Sequence, residues 1–443
     1  MEHDVFKEPN IGKAYLQLSL PLALSMTVTL IYNLADTYFV AQTGDTNLVA
    51  GVSLGAPVFT LLMAFGNIFG QGGASLISRL MGQEKLKDVR HVSSFCFYAT
   101  IIVGVVSAVI MLALRSPILV LIGATEETIS HASSYYTCLA IGAPAVMVSF
   151  IHSNLLRSEG MSKESMTGTI GGALINIVLD PILISVMGMG AMGAALASVL
   201  GYLCSDIFFV IIVHTRSKLF SLNPVEMGIS GAFCQQIFGI GIPAAISNIM
   251  SSVCLVLLNQ FLQPYGTDQI AAMGIVQKVN MIALLLLTGF AFGGQPLFGY
   301  YYGANDHKRF RELVGFCLKF IGTMAIALTA IVFFAAGPLL RFFMDNDQIV
   351  SDGTLMLRWQ VITMLFVGLI LLVTIMFQST GKVVGSFILS VSRQGVVFCI
   401  VLMIATQVAG YTGILVSQAI SDVITGIIAL LLFFTQLYPE IRD

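Results

Sequence analysis

The chain has 443 residues, of which 57% are hydrophobic and only 10% are charged, and its mean hydropathy is +0.91. An ordinary soluble domain is about one quarter charged, so most of this chain is expected to lie in lipid. Its net charge of −2, without a block of five like charges, argues against a nucleic-acid surface. The composition therefore predicts a multi-pass membrane protein without a sizeable soluble domain.

Apolar runs of spanning length recur every 30 to 40 residues from Tyr15 to Leu437. A transmembrane helix needs roughly 20 predominantly apolar residues. The runs and their polar breaks therefore predict twelve transmembrane helices. In chain order these cover 13–41, 48–78, 92–114, 134–157, 164–187, 191–214, 233–261, 270–299, 311–335, 355–380, 385–407 and 411–437.

A polar interval at 215–231 separates the first six predicted helices from the second six. It is predicted to be a cytoplasmic linker between an N-terminal six-helix bundle, 1–214, and a C-terminal six-helix bundle, 232–443. The bundles are expected to be repeats, because similar residues recur at offsets of 220 to 222. The matching positions are Pro21 and Pro243, Gly82 and Gly303, Pro117 and Pro338, 158–160 and 379–381, and Gly193 and Gly413.

Each predicted repeat crosses the bilayer six times, which is an even number, so both repeats enter the membrane in the same sense. The predicted fold is therefore an all-α membrane protein made of two parallel six-helix bundles related by a pseudo-two-fold axis. Lys and Arg residues concentrate in cytoplasmic loops. Fifteen of them fall in the loops of one side and three, Arg115, Arg341 and Arg358, in those of the other. This bias predicts a cell-membrane protein with both termini in the cytoplasm.

Six ionisable side chains stand out within the predicted helices. A charge near the bilayer centre costs roughly 2.5 to 3.5 kcal/mol on insertion scales, so each of them is a candidate functional residue. The six are Asp36, Asp180, Asp206, Lys278, Arg393 and Asp422.

Asp36 and Asp180 are expected at similar depth, because each lies five to seven residues before the outer end of a helix that runs outward. Tyr32 and Asn176 each precede one of them by a single helical turn and share its helix face. Ser198 reaches the same level. These five residues are predicted to line a small polar chamber that binds a proton or a sodium ion, the latter at Asp36, Asp180 and Asn176. Hydrogen bonds that only fix helix packing are the alternative for both aspartates.

The other four charges have more than one interpretation. Asp206 is as consistent with a structural role or a cytoplasmic gate as with ion coupling. Lys278 and Arg393 are expected to be neutralised by an acid, by carbonyl groups or by lipid phosphate. Asp422 is a candidate partner for either base.

Several patterns do not support an enzyme. The Gly188–Gly193 match to GxGxxG joins two apolar runs and does not follow a strand, as a dinucleotide site would require. The chain has no phosphate-binding loop, and neither its seven Cys nor its six His show metal-ligand spacing. The sequence predicts neither catalysis nor a cofactor.

Four segments give the chain a family resemblance: Leu20-Pro21, Arg157 to Gly160, Asn176 to Pro181 (NIVLDP), and Gly82 with its basic loop. With these, the chain resembles the multidrug and toxic-compound extrusion (MATE) family, close to its MepA-like and DinF-like branches, from about Gly12 to Leu437. The resemblance implies a pair of six-helix bundles that export amphipathic, mostly cationic compounds in exchange for protons or sodium ions by alternating access.

Residues of the N-terminal bundle match the polar chamber of that family. They are Asp36, Asp180, Tyr32, Asn176 and Ser198, with Asn154 or its neighbour Ser153 as a further polar position on helix 4, and Asn33 is also a candidate for the chamber lining. The chain lacks the helix 7 carboxylate of another branch, which favours coupling through the N-terminal bundle and leaves the ion open. The expected partners are small organic cations and membrane lipid, and the expected functional unit is a monomer. The rival interpretations are a flippase for a lipid-linked saccharide and a membrane enzyme or receptor that does not transport.

Overall fold

The computed structural model describes residues 5–343 and 346–442, and within these ranges it is helical without any strand. The α-helices are α1 (Ile11–Ala41), α2 (Thr46–Ser53), α3 (Ala56–Gly82), α4 (Leu86–Ala113), α5 (Arg115–Leu121), α6 (Ile129–Ile141), α7 (Ala143–Ser158), α8 (Ser162–Pro181), α9 (Gly190–Thr215), α10 (Gly231–Leu262), α11 (Thr267–Gly293), α12 (Gln295–Gly303), α13 (His307–Phe343), α14 (Asp347–Val361), α15 (Met364–Thr380), α16 (Val383–Val391), α17 (Val397–Leu432) and α18 (Tyr438–Arg442).

Nine helical segments in the described part of the chain are long and apolar enough to cross a membrane. Two bent pairs, α6 with α7 and α14 with α15, add two further spans. The segment Val383–Arg442 has 60 residues, which as one straight helix would be about 90 Å long, three times the hydrocarbon thickness. It is instead interrupted at Gly410, whose φ of 55° is not helical and suits a glycine. This segment therefore holds two spans, and the predicted twelve-helix fold is confirmed.

Several predicted spans are not single helices. The span predicted at 134–157 is α6 followed by α7, bent by 54°, and the span at 355–380 is α14 followed by α15, bent by 43°. The span at 48–78 is interrupted between α2 and α3. Pro57 and Pro144 lie in the first turns of α3 and α7, where the missing N–H of proline costs no helical hydrogen bond. The hydropathy of these runs predicted their length but not these breaks.

Contacts divide the described chain into two compact units. The first, called the N-lobe, is Leu24–Ala245. The second, called the C-lobe, comprises the described residues up to Ala23 and those from Ile246 onward. The divisions fall inside α1 and α10, a few residues after Pro21 and Pro243. The predicted limits 1–214 and 232–443 follow the order of the helices along the chain. They assign the first half of α1 to the N-terminal bundle, although its contacts lie in the C-lobe. They assign the first half of α10 to the C-terminal bundle, although its contacts lie in the N-lobe.

Close backbone packing holds these two half-helices in their units. In the C-lobe, a Cβ added to Gly293 would lie 2.2 Å from the Cα of Ser19 in α1. In the N-lobe, a Cβ added to Gly72 would lie 2.2 Å from the carbonyl oxygen of Ile237 in α10. Neither position accommodates a side chain, and small residues are what allow membrane helices to approach this closely.

The interval 215–231, predicted as a linker, lies against α4 in the N-lobe. Ser94 Oγ donates a hydrogen bond of 2.8 Å to the carbonyl oxygen of Asn223, and Tyr98 Oη donates one of 2.7 Å to that of Leu222. At its start, Ser217 Oγ donates a 2.6 Å hydrogen bond to Glu159. Burial raises the pKa of the Glu159 carboxyl, and its hydrogen bonds oppose that shift only in part. The interval is therefore held along one helix by specific hydrogen bonds.

Candidate functional site

Two glycines bring α8 and α9 together in the N-lobe. A Cβ added to Gly172 would lie 2.6 Å from the carbonyl oxygen of Gly201, and one added to Gly201 would lie 2.7 Å from that of Gly172. The helix backbones therefore touch at this level. One turn further along α8, Asn176 faces Ser198 of α9, and their side chains come within hydrogen-bonding distance.

A chain of hydrogen bonds links three of the predicted chamber residues. Asn176 Nδ2 donates to Ser198 Oγ at 3.2 Å, and the hydroxyls of Ser198 and Tyr32 are 3.3 Å apart. Tyr202 contacts the Tyr32 hydroxyl as well. These residues line a cavity of about 40 Å³, which is enough for a water molecule or a small ion. Its other lining residues are Thr29, Ser149, Thr169, Gly172, Ala173, Gly201 and Ser205.

Asp180 and Asp36 lie beside this chamber, and their carboxylate oxygens have few hydrogen-bond partners. Asp180 is fully buried, and neither of its carboxylate oxygens has a hydrogen-bond partner among the described residues. One oxygen of Asp36 and the Oδ1 atom of Asn176 are also buried without a partner in this part of the chain. The two carboxylates are close enough for their charges to repel. The site thus gathers several acceptor oxygens, and no basic side chain of residues 5–343 and 346–442 pairs with them.

The helix geometry changes next to Asp180. Pro181 is the last residue of α8, and the chain continues as a π-helix over Ile182–Val186. Proline removes a helical hydrogen bond, and π-helical turns are frequent at functional sites. The regular α-helix therefore ends directly after Asp180 and Pro181.

The structure adds residues that the sequence interpretation missed. Tyr135 of α6 is buried within electrostatic range of Asp36, Asp180 and Tyr32. A buried tyrosine in an apolar run looks like a core residue, and only the position of α6 shows that it lies near the two carboxylates. Asp206 lies close to Ser149, which lines the chamber. Because Ser149 and Asp206 lie on different helices, this contact was not predictable from spacing.

Two further candidates lie away from the chamber lining. Asn154 Nδ2 donates to the carbonyl oxygen of Phe150 at 2.6 Å, and its Oδ1 accepts from Arg157 at 2.5 Å. Asn33 is exposed on α1. A role for either residue in the chamber stays a prediction.

The remaining predicted charges lie at a second cavity, within the C-lobe, of about 540 Å³. Arg393 Nε donates a 3.1 Å hydrogen bond to Asp422, whose side chain is 2% exposed. Gln418 and Thr363 each donate a further 3.1 Å hydrogen bond to the same carboxylate. Asp422 is thus the acidic partner of Arg393. Lys278 also lines the cavity, and it has no ion pair with any described carboxylate.

Across residues 5–343 and 346–442, no group of three or more His, Cys, Asp and Glu side chains is placed to hold a metal ion. The acceptor oxygens of the N-lobe chamber include two carboxylates and an amide, a set suited to a hard monovalent cation or to a shared proton.

Comparison with known proteins gives a consistent result. The MatE family model matches the chain twice, at 21–182 and 243–404, so the second match begins and ends 222 residues after the first. This spacing confirms the predicted repeat.

Curated relatives cover nearly the whole chain. Multidrug export protein MepA of Staphylococcus haemolyticus (strain JCSC1435) is 30% identical over 430 residues, which is 97% of this chain and 95% of the relative. The protein of the same name from Staphylococcus aureus (strain NCTC 8325 / PS 47) is 30% identical over 429 residues, with the same coverage. A crystal structure of a MATE transporter in the straight conformation has a TM-score of 0.94 at 23% identity and covers 100% of both chains. The predicted resemblance is confirmed, and the chain belongs to the MatE family of membrane transporters.

Proposed function

We propose that this transporter exports amphipathic, mostly cationic compounds and that the export is coupled to the inward movement of a proton or a sodium ion at Asp36 and Asp180. The observation that carries this proposal is the complete burial of Asp180 without a hydrogen-bond partner among the described residues, next to a second carboxylate. The names of the MepA relatives, which are multidrug export proteins, support the export of small molecules.

The physical argument starts from the cost of this arrangement. A carboxylate that is buried without compensation is expensive, so it takes up a proton or pairs with a cation. Two neighbouring carboxylates disfavour simultaneous ionisation for the same reason. Asn176 Oδ1 has no partner in the described structure, so it can accept a hydrogen bond from a protonated carboxyl or act as an oxygen ligand of sodium. Either ion reduces the negative charge of the chamber.

Changing this charge provides a route to coupling. Ion uptake from the outside alters the hydrogen bonds among Tyr32, Asn176 and Ser198 and favours a bend near the π-helical turn after Pro181. It also lowers the attraction for a cationic compound, which then leaves outward. The loaded protein returns inward and releases the ion. In this alternating-access cycle the ion acts by its different affinity for two conformations, and a monomer suffices for it.

Proteoliposomes provide the test of this proposal. We expect efflux of a fluorescent organic cation from protein-containing vesicles when either a proton or a sodium gradient is imposed separately, and the effective gradient identifies the ion. Empty vesicles and vesicles without a gradient are the controls. Efflux that needs neither gradient would contradict the coupled mechanism.

A separate prediction concerns the orientation of the protein in the membrane. The bias in basic residues predicts that both termini lie in the cytoplasm. On a background without cysteine, Lys87→Cys should react with an impermeant maleimide only from the inside, and Asp268→Cys only from the outside. Labelling in intact cells and in inverted vesicles measures this directly. The opposite pattern would reverse the proposed orientation.

A further inference from the structure

The C-lobe cavity has the size and lining of a binding site for a small molecule. Its volume of about 540 Å³ is within the range of roughly 300 to 1,000 Å³ that small-molecule sites occupy. Large apolar side chains make up much of its wall, and amide side chains are interspersed among them. The apolar residues include Leu255, Leu258, Met281 and Met364, and the amides include Asn280 and Gln360.

The charges in this cavity do not cancel. Its lining contains two basic side chains, Lys278 and Arg393, and one carboxylate, Asp422. The other lining residues are uncharged, so the cavity carries a formal charge of +1. A cavity that carries a positive charge repels a cation and attracts an anion.

The hydrogen bonds in the cavity show which basic groups remain able to bind a ligand. Asp422 already accepts hydrogen bonds from Arg393, Gln418 and Thr363. Arg393 uses its Nε for this bond, and no hydrogen bond from its two terminal nitrogens to a described residue occurs. Lys278 has no ion pair within the described chain. The ammonium of Lys278 and the outer edge of the Arg393 guanidinium therefore remain as donors for a ligand.

The Arg393 side chain is held in position by the backbone around it. It lies in the π-helical turn Ser392–Val396, where Gln394 and Gly395 have non-helical backbone angles. Ser251 donates a hydrogen bond to the Gln394 side chain, and Cys254 Sγ donates one of 3.0 Å to the Gln394 carbonyl oxygen. Together with the hydrogen bond from Arg393 Nε to Asp422, these contacts orient the guanidinium before any ligand arrives, which reduces the entropy cost of binding.

We infer that the C-lobe cavity binds the anionic head of an amphipathic compound, a carboxylate, sulfonate or phosphate, between Lys278 and the terminal nitrogens of Arg393. The apolar body of the compound lies against the leucine and methionine side chains of the wall. The substrates of the transporter then include anionic amphiphiles in addition to cations. This substrate class rests on the proposed export function, whereas the binding itself does not.

Binding to the purified protein in a non-ionic detergent tests the site without any ion gradient. The probes are 1-pyrenebutanoate and a matched cation, 1-pyrenebutyltrimethylammonium, which share the same apolar body. Lys278→Gln should weaken binding of pyrenebutanoate by about tenfold, because it removes one charge at contact distance in a partly solvated site. Lys278→Arg should keep the affinity within about twofold, because it restores the charge. Binding of the cationic probe should be unchanged or tighter in Lys278→Gln.

Lys319→Gln is the matched control. Lys319 is an exposed lysine on α13 of the same lobe and does not line the cavity, so its replacement should leave both affinities unchanged. The site would be disproved by equal affinity of the wild-type protein and Lys278→Gln for pyrenebutanoate, or by an equal loss in Lys319→Gln. Thermal unfolding of Lys278→Gln at the wild-type temperature excludes a folding defect as the cause.

A lipid head group offers the same anionic chemistry, and competition distinguishes it from a free amphiphile. Displacement of pyrenebutanoate by dihexanoylphosphatidylglycerol, but not by dihexanoylphosphatidylcholine, would assign the site to an anionic lipid and favour a flippase. Displacement by neither lipid would assign it to free amphiphiles. Equal displacement by both would show that the head-group charge is irrelevant and would overturn the proposal. A failure of ion-coupled efflux with intact Lys278-dependent binding would disprove only the proposed coupling.

Discussion

Asp180→Asn is expected to slow gradient-driven efflux strongly while the protein remains folded and still binds the exported compound. Asparagine resembles the protonated carboxyl in size and carries no charge, but it cannot release a proton or pair with sodium. Because Asp180 is fully buried and unpartnered in the described structure, the change also removes the cost of a buried charge. We expect the efflux rate to fall on the order of 100-fold, the lower end of the range for loss of a proton-carrying side chain.

Proteoliposome efflux under a proton or sodium gradient measures this effect. Equilibrium binding in detergent measures the affinity that the variant retains for the exported compound. Asp268→Asn is the matched control, since Asp268 is an exposed carboxylate in the first turn of α11. Asp36→Asn should resemble Asp180→Asn. Wild-type rates in both variants, with unchanged pH and sodium dependence, would refute the mechanism and move the coupling site to Asp206 or to the C-terminal bundle.

Arg393→Ala is expected to destabilise the C-lobe strongly. The variant removes the guanidinium from Asp422, whose side chain is only 2% exposed, and leaves a buried charge without a cationic partner. Breaking a buried ion pair in this way costs about 3 to 5 kcal/mol. A lower thermal unfolding temperature in detergent should report the loss. The double variant Arg393→Ala/Asp422→Asn should recover part of it, since the remaining amide needs no cation.

An exposed ion pair between an arginine and an aspartate serves as the control for the buried pair of Arg393 and Asp422. Arg341 and Asp347 are 2.8 Å apart, with side chains 59% and 93% exposed. An exposed pair of this kind contributes roughly 0 to 1 kcal/mol, so Arg341→Ala should hardly change the unfolding temperature. Equal effects of Arg341→Ala and Arg393→Ala, or no recovery in the double variant, would show that burial of Asp422 does not govern stability here.

Several features of the chain were predictable from the sequence because their causes act locally. The number and length of the spans follow from apolar runs, and the repeat follows from residues that recur near an offset of 222. Asp36 and Asp180 were identifiable because a carboxylate in an apolar run is costly. Helical spacing also placed Tyr32 and Asn176 one turn from these carboxylates, on their helix faces.

Other features depend on which helices touch, and no local rule determines this. The approach of Gly172 to Gly201 brings Asn176 to Ser198, and the position of α6 brings Tyr135 to the two carboxylates. Arg393 could have paired with several acids, and the packing of its π-helical turn against α17 selects Asp422. The sequence by itself thus determined the twelve spans, their repeat and the costly charges. Tertiary packing decided which half-helix belongs to which unit, which polar groups meet and which charges stay unpaired, because these depend on distances between residues far apart in the chain.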